Sequence, residues 1–275
     1  MALSQMNSPS AFAMPEALPE LRSGHLEVRL AQSQAEIEAS QALRYQVFYE
    51  ECGAHPSDQV ASLKRDFDGV DSFCDHLLVI DHSRGPNAIV GTYRFMRREA
   101  ASRYGTYYTA AEFEIDKLIS QPGEVMELGR SCVHKDYRTR PVMQLLWRGI
   151  GAYIITHNVA LCFGCASFRG TQIEKYREAM AYLYHYHLAP EDFRARPLPS
   201  LYQEMNTIPK ENVDKKKAMH QLPPLIKGYL RLGGFVGDGA IVDPQFNTVD
   251  VCIIVKRELM TERYSNRYTT DLEIA

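Results

Sequence analysis

Charged side chains stand in or beside otherwise apolar stretches at three places in this 275-residue chain. Asp68 and Asp71 occur in RDFDGVDSF, just ahead of an apolar run. Arg94 sits inside AIVGTYRFM. Glu127 and Arg130 sit inside VMELGRSCV. A charge in such a strand faces water or must be paired, because burying it alone is costly. The charges therefore either brace a sheet as ion pairs or line a cleft. In a cleft they suit proton transfer and ion recognition. A carboxylate within reach of an ammonium is a general base, an arginine takes a carboxylate bidentately, and an aspartate pairs with an ammonium.

Glu127 and Arg130 are three residues apart, so a regular strand points them to opposite faces. They share a cleft only if the strand is bulged, and Gly129 between them suits a bulge. A bulge also frees backbone N–H groups to meet a carbonyl oxygen, which is one way to build an oxyanion site.

The elements that must position these groups follow from periodicity and turn chemistry. Residues 25–31 alternate and read as a first strand. Ser33 to Glu36 has the form of a capping box and opens a helix running to about Glu51, with Leu43 and Val47 on one face and Arg44, Phe48 and Glu51 on another. Four strand-like stretches follow: CDHLLVID, AIVGTYRFM, EVMELGRSCV and LCFGCASF. The first two are joined by a hairpin-like turn at 82–87. Between the last two, residues 141–157 have helical spacing, with Pro141 suited to the first turn. Strand, helix, strand implies a parallel pair with a crossover. A helix is expected over 171–187, loops and short helices over 188–225, and a closing hairpin from FVGDGAIVD and VDVCIIVKREL. The reading is a disordered tail at 1–24 and one α/β domain at 25–275. Its sheet is mixed and mostly antiparallel, flanked by helices, with a helical and loop insertion near 188–225.

Composition bounds the class. The chain is 45 % hydrophobic and 24 % charged, an ordinary soluble profile. No apolar run approaches the roughly 20 residues of a bilayer span, and the first residues lack a secretory pattern. The six cysteines are scattered and read as free thiols, which points to a cytoplasmic chain. A net charge of −3 gives no reason to expect nucleic acid. Lys135, Arg138, Arg140 and Arg148 nevertheless cluster with few acids, so this patch either meets an acidic partner or is a solvated face.

Other signals are bland. Cys162 and Cys165 are an isolated pair, where zinc needs four ligands. His185 and His187 are poorly spaced for a metal and read as surface or interface residues. Gly228, Gly233, Gly234, Gly237 and Gly239 lack the strand-to-helix context of a dinucleotide loop and read as turns. The tyrosines from Tyr176 to Tyr186 read as helix packing.

Taken in order, four motifs resemble the N-terminal core of the acyl-homoserine-lactone synthases. They are Leu43-Arg44-Tyr45-Gln46-Val47-Phe48 with Glu50-Glu51, Asp68-x-x-Asp71, Gly91-Thr92-Tyr93-Arg94 and Glu127-Leu128-Gly129-Arg130. ELGRSCVHKDYR, LLWRGI, PPLIKGYLRLGGFVGDGAIVDPQFNTVDV and the late Arg-Tyr pairs resemble a sister family, the ornithine-lipid N-acyltransferases, sometimes labelled haemolysin-like. The resemblance covers roughly residues 25–270 and implies a GNAT-like N-acyltransferase fold.

What it implies further is acylation of an amino acid by a 3-hydroxyacyl thioester on acyl carrier protein, giving a lyso-ornithine lipid. No bound cofactor or metal is implied, and peripheral membrane contact fits a lipid product. Glu127 takes the general-base position; Arg44, Phe48, Asp68, Asp71, Arg94 and Arg130 fall on positions that shape and charge the cleft. Arg94 or Arg130 is then expected to take the α-carboxylate, and Asp68 or Asp71 the δ-ammonium of ornithine. Direct attack needs no nucleophilic residue, which leaves Ser131 and Cys132 as bystanders.

Coenzyme-A users of the wider superfamily wrap a pyrophosphate in a glycine-rich loop. The matching stretch here, 138–143, has no glycine. A phosphopantetheine has one phosphate, for which the helix start at Pro141 with Arg138 or Arg140 suffices, and carrier proteins are acidic. Glutamine, lysine or glycine as acceptor, and lactone synthesis, stay open at this point. A membrane-lytic protein is disfavoured, since no strongly basic amphipathic helix is present.

Overall fold

The computed structural model describes residue 16 and residues 18–85 and 88–260. The tip of the 82–87 turn, most of the tail and the late Arg-Tyr pairs lie outside the described residues.

The strands are β1 (Leu21–Ser23), β2 (Leu26–Leu30), β3 (Asp75–Asp81), β4 (Ile89–Arg97), β5 (Phe113–Glu114), β6 (Glu124–Val133), β7 (Val159–Arg169), β8 (Arg196–Pro197), β9 (Phe235–Asp243) and β10 (Thr248–Lys256). Eight of them form one sheet in the order β1-β2-β3-β4-β6-β7-β10-β9, while β5 and β8 pair separately. Every neighbouring pair in the sheet is antiparallel except β6 and β7. The crossover between those two is α5 (Arg140–Thr156), with Pro141 in its first turn. The expected parallel pair is thus present. Residues 21–23, which composition placed in the tail, form the edge strand β1 against β2.

Both faces of the sheet are covered, which is why its strands read as continuous apolar runs rather than alternating ones. Leu77 and Val79 of β3 pack with Leu145, Leu146 and Ile150 of α5. Leu78 and Ile80, one step along the same strand, pack with Ile37 and Leu43 of α1 (Gln34–Tyr45). A third apolar cluster joins Met96, Val125 and Phe163 to residues 107–118.

The expected cap of α1 is present, with the return bond shifted by one residue: Ser33 Oγ accepts from Glu36 N at 3.3 Å, and the Glu36 carboxylate accepts from Gln32 N, just ahead of the cap, at 2.7 Å. The helix does not run to Glu51 as an α-helix. It ends at Tyr45 and widens into a π-helical stretch, Gln46–Glu51. Such stretches commonly sit at functional sites, and this one supplies Val47 and Phe48 to the cavity below.

The remaining helices are α2 (Asp58–Leu63), α3 (Arg98–Tyr104), α4 (Asp116–Ile119), α6 (Arg177–His187), α7 (Lys215–Gln221) and α8 (Pro224–Arg231). The helix expected from residue 171 starts as a 3-10 turn at Ile173–Tyr176. Gly228 lies in α8, and Gly237 and Gly239 lie in β9 rather than in turns. No helix of the described residues is long and apolar enough to cross a membrane.

Candidate active site

A cavity of about 310 Å³ opens where β6 and β7 part. Their parallel register runs from Glu124–Val159 to Glu127–Phe163. The next residue of β7 is Gly164, where any Cβ would lie 2.1 Å from the Leu128 carbonyl oxygen, so only glycine permits this approach. Beyond it, Leu128–Val133 and the Cys165–Arg169 end of β7 form two walls, closed by the π-helical stretch and the β9–β10 hairpin.

The bulge in β6 is where the extra residue was needed, one position later than expected. Thr92 pairs with Cys132 and Arg94 with Gly129, so Tyr93 alone opposes Arg130 and Ser131. Gly129 stays in register, and Arg130 takes the left-handed conformation, φ 50°. That costs a non-glycine residue about 1 kcal/mol. The Arg130 side chain holds it there: Nε donates to Asp66 Oδ2 at 3.1 Å and Nη2 to Asp68 Oδ2 at 3.0 Å. Its guanidinium lies between the rings of Tyr108 and Phe246, 4.7 and 4.6 Å from their centroids. Glu127 and Arg130 consequently line the same cavity.

Glu127 is 5 % exposed. It accepts from Tyr108 N at 2.9 Å, Thr109 N at 2.6 Å and Thr109 Oγ1 at 2.5 Å. Burial pushes its pKa above the ordinary glutamate value, while these donors and Arg94 pull it back only in part. A fixed carboxylate with a raised pKa, facing a cavity, is suited to accept a proton.

The other charges close on one another. Arg44, fully buried, donates Nε to Asp66 Oδ2 at 2.8 Å and Nη1 and Nη2 to Asp71 at 3.0 and 2.7 Å. Arg94 Nη1 donates to Asp68 at 2.7 Å and to Asp71 at 2.9 Å. With Arg130, three guanidiniums therefore meet three carboxylates. Burial pushes the Asp71 carboxyl up, but Arg44 and Arg94 outweigh it and hold it well below the ordinary range. Asp66 is likewise low, with Arg130 and Arg44 outweighing burial. Asp71 is also bonded by Gln41, so the expectation that it takes a substrate ammonium gives way to a bracing role. Asp68 is the more open of the two aspartates, its side chain 25 % exposed. Phe48 stands edge-on to Phe246 at 6.0 Å and lines the cavity.

Reading the sequence missed four acids here. Asp66 follows Lys64 and Arg65 and looks like part of a solvated loop. Glu112, Asp243 and Asp250 line the far end of the cavity. Asp250 carried the same signal that singled out Arg94, a charge within an apolar strand, in TVDVCIIVK.

Lys135, Arg138 and Arg140 are exposed around the start of α5, whereas Arg148 is half-buried further along it. Arg138 also borders the cavity, where Nη2 donates to Glu51 at 2.5 Å and Nε to the Val133 carbonyl at 3.1 Å. Cys132 is buried and its thiol pushed far up by burial, the opposite of a reactive thiolate. Cys162 and Cys165 are unbridged. His185 Nε2 meets the Ile208 carbonyl at 2.8 Å, and His187 meets the Tyr182 hydroxyl.

Residues 43–148, which carry the guanidinium–carboxylate cluster, the bulge and Glu127, match the acetyltransferase (GNAT) domain family, so the chain is an acyltransferase of GNAT type. The chain is 46 % identical over 266 residues, 95 % of its length and 90 % of the relative's, to the L-ornithine N(alpha)-acyltransferase of Rhizobium meliloti (strain 1021). It is 45 % identical over 257 residues, 92 % of its length and 88 % of the relative's, to the protein of that name from Agrobacterium fabrum (strain C58 / ATCC 33970). The chain belongs to the L-ornithine N(alpha)-acyltransferase family. Among solved structures, an N-acyl amino acid synthase from uncultured soil microbes is 9 % identical with a TM-score of 0.45, over 84 % of this chain and 90 % of that one.

Proposed function

We propose that the chain moves a fatty acyl group from acyl carrier protein to the α-amino group of L-ornithine, with Glu127 as general base. The carrying observation is the Glu127 carboxylate, buried, triply hydrogen-bonded and facing the cavity, in a chain of this family. The ornithine α-ammonium gives a proton to Glu127, directly or through one water. The freed amine attacks the thioester carbonyl. The tetrahedral oxyanion forms beside the bulge, where the break in the β4–β6 register suits backbone N–H groups to meet it. Collapse breaks the carbon–sulfur bond and releases the carrier's thiol, which takes up a proton as the amide forms. Arg130 meets the α-carboxylate; its side chain is 11 % exposed against 4 % for Arg94.

A carrier-protein donor fits the absence of glycine at 138–143. It also fits the exposed Lys135 and Arg140 at the start of α5, which suit an acidic carrier and a single phosphate. The product is a lyso-lipid, so it leaves toward a bilayer and the enzyme touches the membrane from one side. Purified protein given the same acyl chain on carrier protein and on coenzyme A, with ornithine, tests the donor. Faster amide formation from the carrier supports the reading; a preference for coenzyme A contradicts it.

A further inference from the structure

The cavity has a second charged end. Glu112 follows the turn that carries Tyr108 and Thr109, Asp243 ends β9, and Asp250 lies in β10. Each brings one carboxylate oxygen to within 4.8 Å of the others. Asp250 is 4 % exposed, lines the cavity, and its Oδ1 is buried with no hydrogen-bond partner among the described residues. A buried carboxylate oxygen without a donor is costly, and three carboxylates this close repel one another. The Ser167 and Thr248 hydroxyls lie beside the Asp250 carboxylate and partly hold its pKa down, yet Oδ1 keeps no hydrogen-bond partner among the described residues. Cys165 Sγ lies 3.0 Å from Glu112 Oε2, and Asp243 Oδ1 accepts from the Gln245 and Phe246 amides.

We infer that Glu112, Asp243 and Asp250 form the subsite for the distal ammonium of a diamino-acid acceptor. The inference rests on the acylation reading above and names what selects its acceptor. A primary ammonium offers three N–H donors. Three tetrahedral bonds of about 2.8 Å hold their acceptors about 4.6 Å apart, a spacing within the 4.8 Å span of this trio. Its place in the cavity matches too. Thr109 Oγ1 is 2.5 Å from Glu127 Oε1 and 3.7 Å from Cys165 Sγ, which in turn touches Glu112. Two small groups thus separate the base from the trio. The α- and δ-nitrogens of ornithine are five bonds apart, about 6 Å when extended, so one nitrogen meets Glu127 while the other meets the trio. Asp68 and Asp71 are matched instead by guanidiniums. Burial pushes Glu112 up to about 7 and Asp250 up to about 6, which fits a cluster that a cation completes.

The test compares ornithine with norvaline, which has the same carbon chain without the δ-amine. Acylated carrier protein is saturating, the full-length protein is used, and EDTA is present or absent. For Asp250→Asn and Glu112→Gln the expected result is an ornithine KM raised at least about tenfold, with a smaller change in kcat and a narrowed preference over norvaline. EDTA should change nothing. Should either variant fail to fold, Asp243→Asn at a half-buried position carries the same test. An unchanged preference in folded variants overturns the subsite while leaving the acylation reading intact. So does activity lost to EDTA and restored by a divalent cation in the wild type, which would make the trio a metal site. A wild type that acylates norvaline as readily as ornithine overturns the acceptor reading itself, and the subsite with it.

Discussion

Glu127 and Arg130 face one cavity although only two residues separate them on a single strand, because β6 carries an extra residue opposite Tyr93. The bulge brings the proton acceptor and a guanidinium to the walls of the same cavity.

Glu127→Gln keeps the shape and removes the base. We predict a fall in kcat of about 10²–10⁴ with little change in the carrier-protein KM, measured by steady-state amide formation. In the wild type, kcat/KM should rise with pH through a pKa above the ordinary glutamate value, since burial raises Glu127. An acid limb at or below that value contradicts the assignment.

Arg44→Met strips two buried aspartates of a partner. Breaking a buried pair from one side costs about 3–5 kcal/mol, readable by urea denaturation. Arg44→Lys should rescue little, because one ammonium cannot reproduce the fork to Asp66 and Asp71. Asp66 and Asp71 titrate lower folded than unfolded. The stability they contribute is present above pH about 4 and is lost as pH falls below it. Arg44→Met should therefore be less acid-sensitive than wild type.

Asp250→Asn should act in the opposite direction. Asp250 and Glu112 titrate higher folded than unfolded, with burial the main cause and Asp243 adding repulsion to both; hydrogen bonds from Ser167 and Thr248 to Asp250 and from Cys165 to Glu112, together with Arg130, offset it only in part. Ionising them in the folded state costs stability as pH rises from about 4 to 7. The variant should be more stable than wild type by about 3 kcal/mol at pH 8 and nearly equal to it at pH 4. A melting curve at each pH checks this.

Lys135→Glu with Arg140→Glu should raise the carrier-protein KM about tenfold at low salt and flatten its salt dependence, with kcat nearly unchanged. Cys132→Ala should keep acylating, and intact-protein mass spectrometry with donor alone should find no acyl thioester on it.

Much of this was legible before any coordinate. The runs in β3, β4, β6 and β7, the Pro141 helix and the closing hairpin declare themselves by length and punctuation, and the strand–helix–strand order dictates the parallel pair. Arg94, Glu127 and Arg130 stood out because apolar strands do not tolerate unpaired charge. What failed was pairing in space. Nothing in Asp66's neighbours shows that Arg44 and Arg130 converge on it, so Asp71 looked available when it was committed. The bulge was expected at the glycine, but side-chain bonds to Asp66 and Asp68 hold Arg130 in the left-handed position instead. The π-helical widening at 46–51 left no mark in the residue pattern.

The most direct test is a competition. Purified protein and its Glu127→Gln variant receive 3-hydroxyacyl carrier protein and equimolar ornithine, glutamine, lysine and glycine, and the amides are read by mass spectrometry. The account predicts a dominant Nα-acyl ornithine product that nearly disappears in the variant. A dominant acyl-glutamine or acyl-glycine, or full activity without the Glu127 carboxylate, would contradict it.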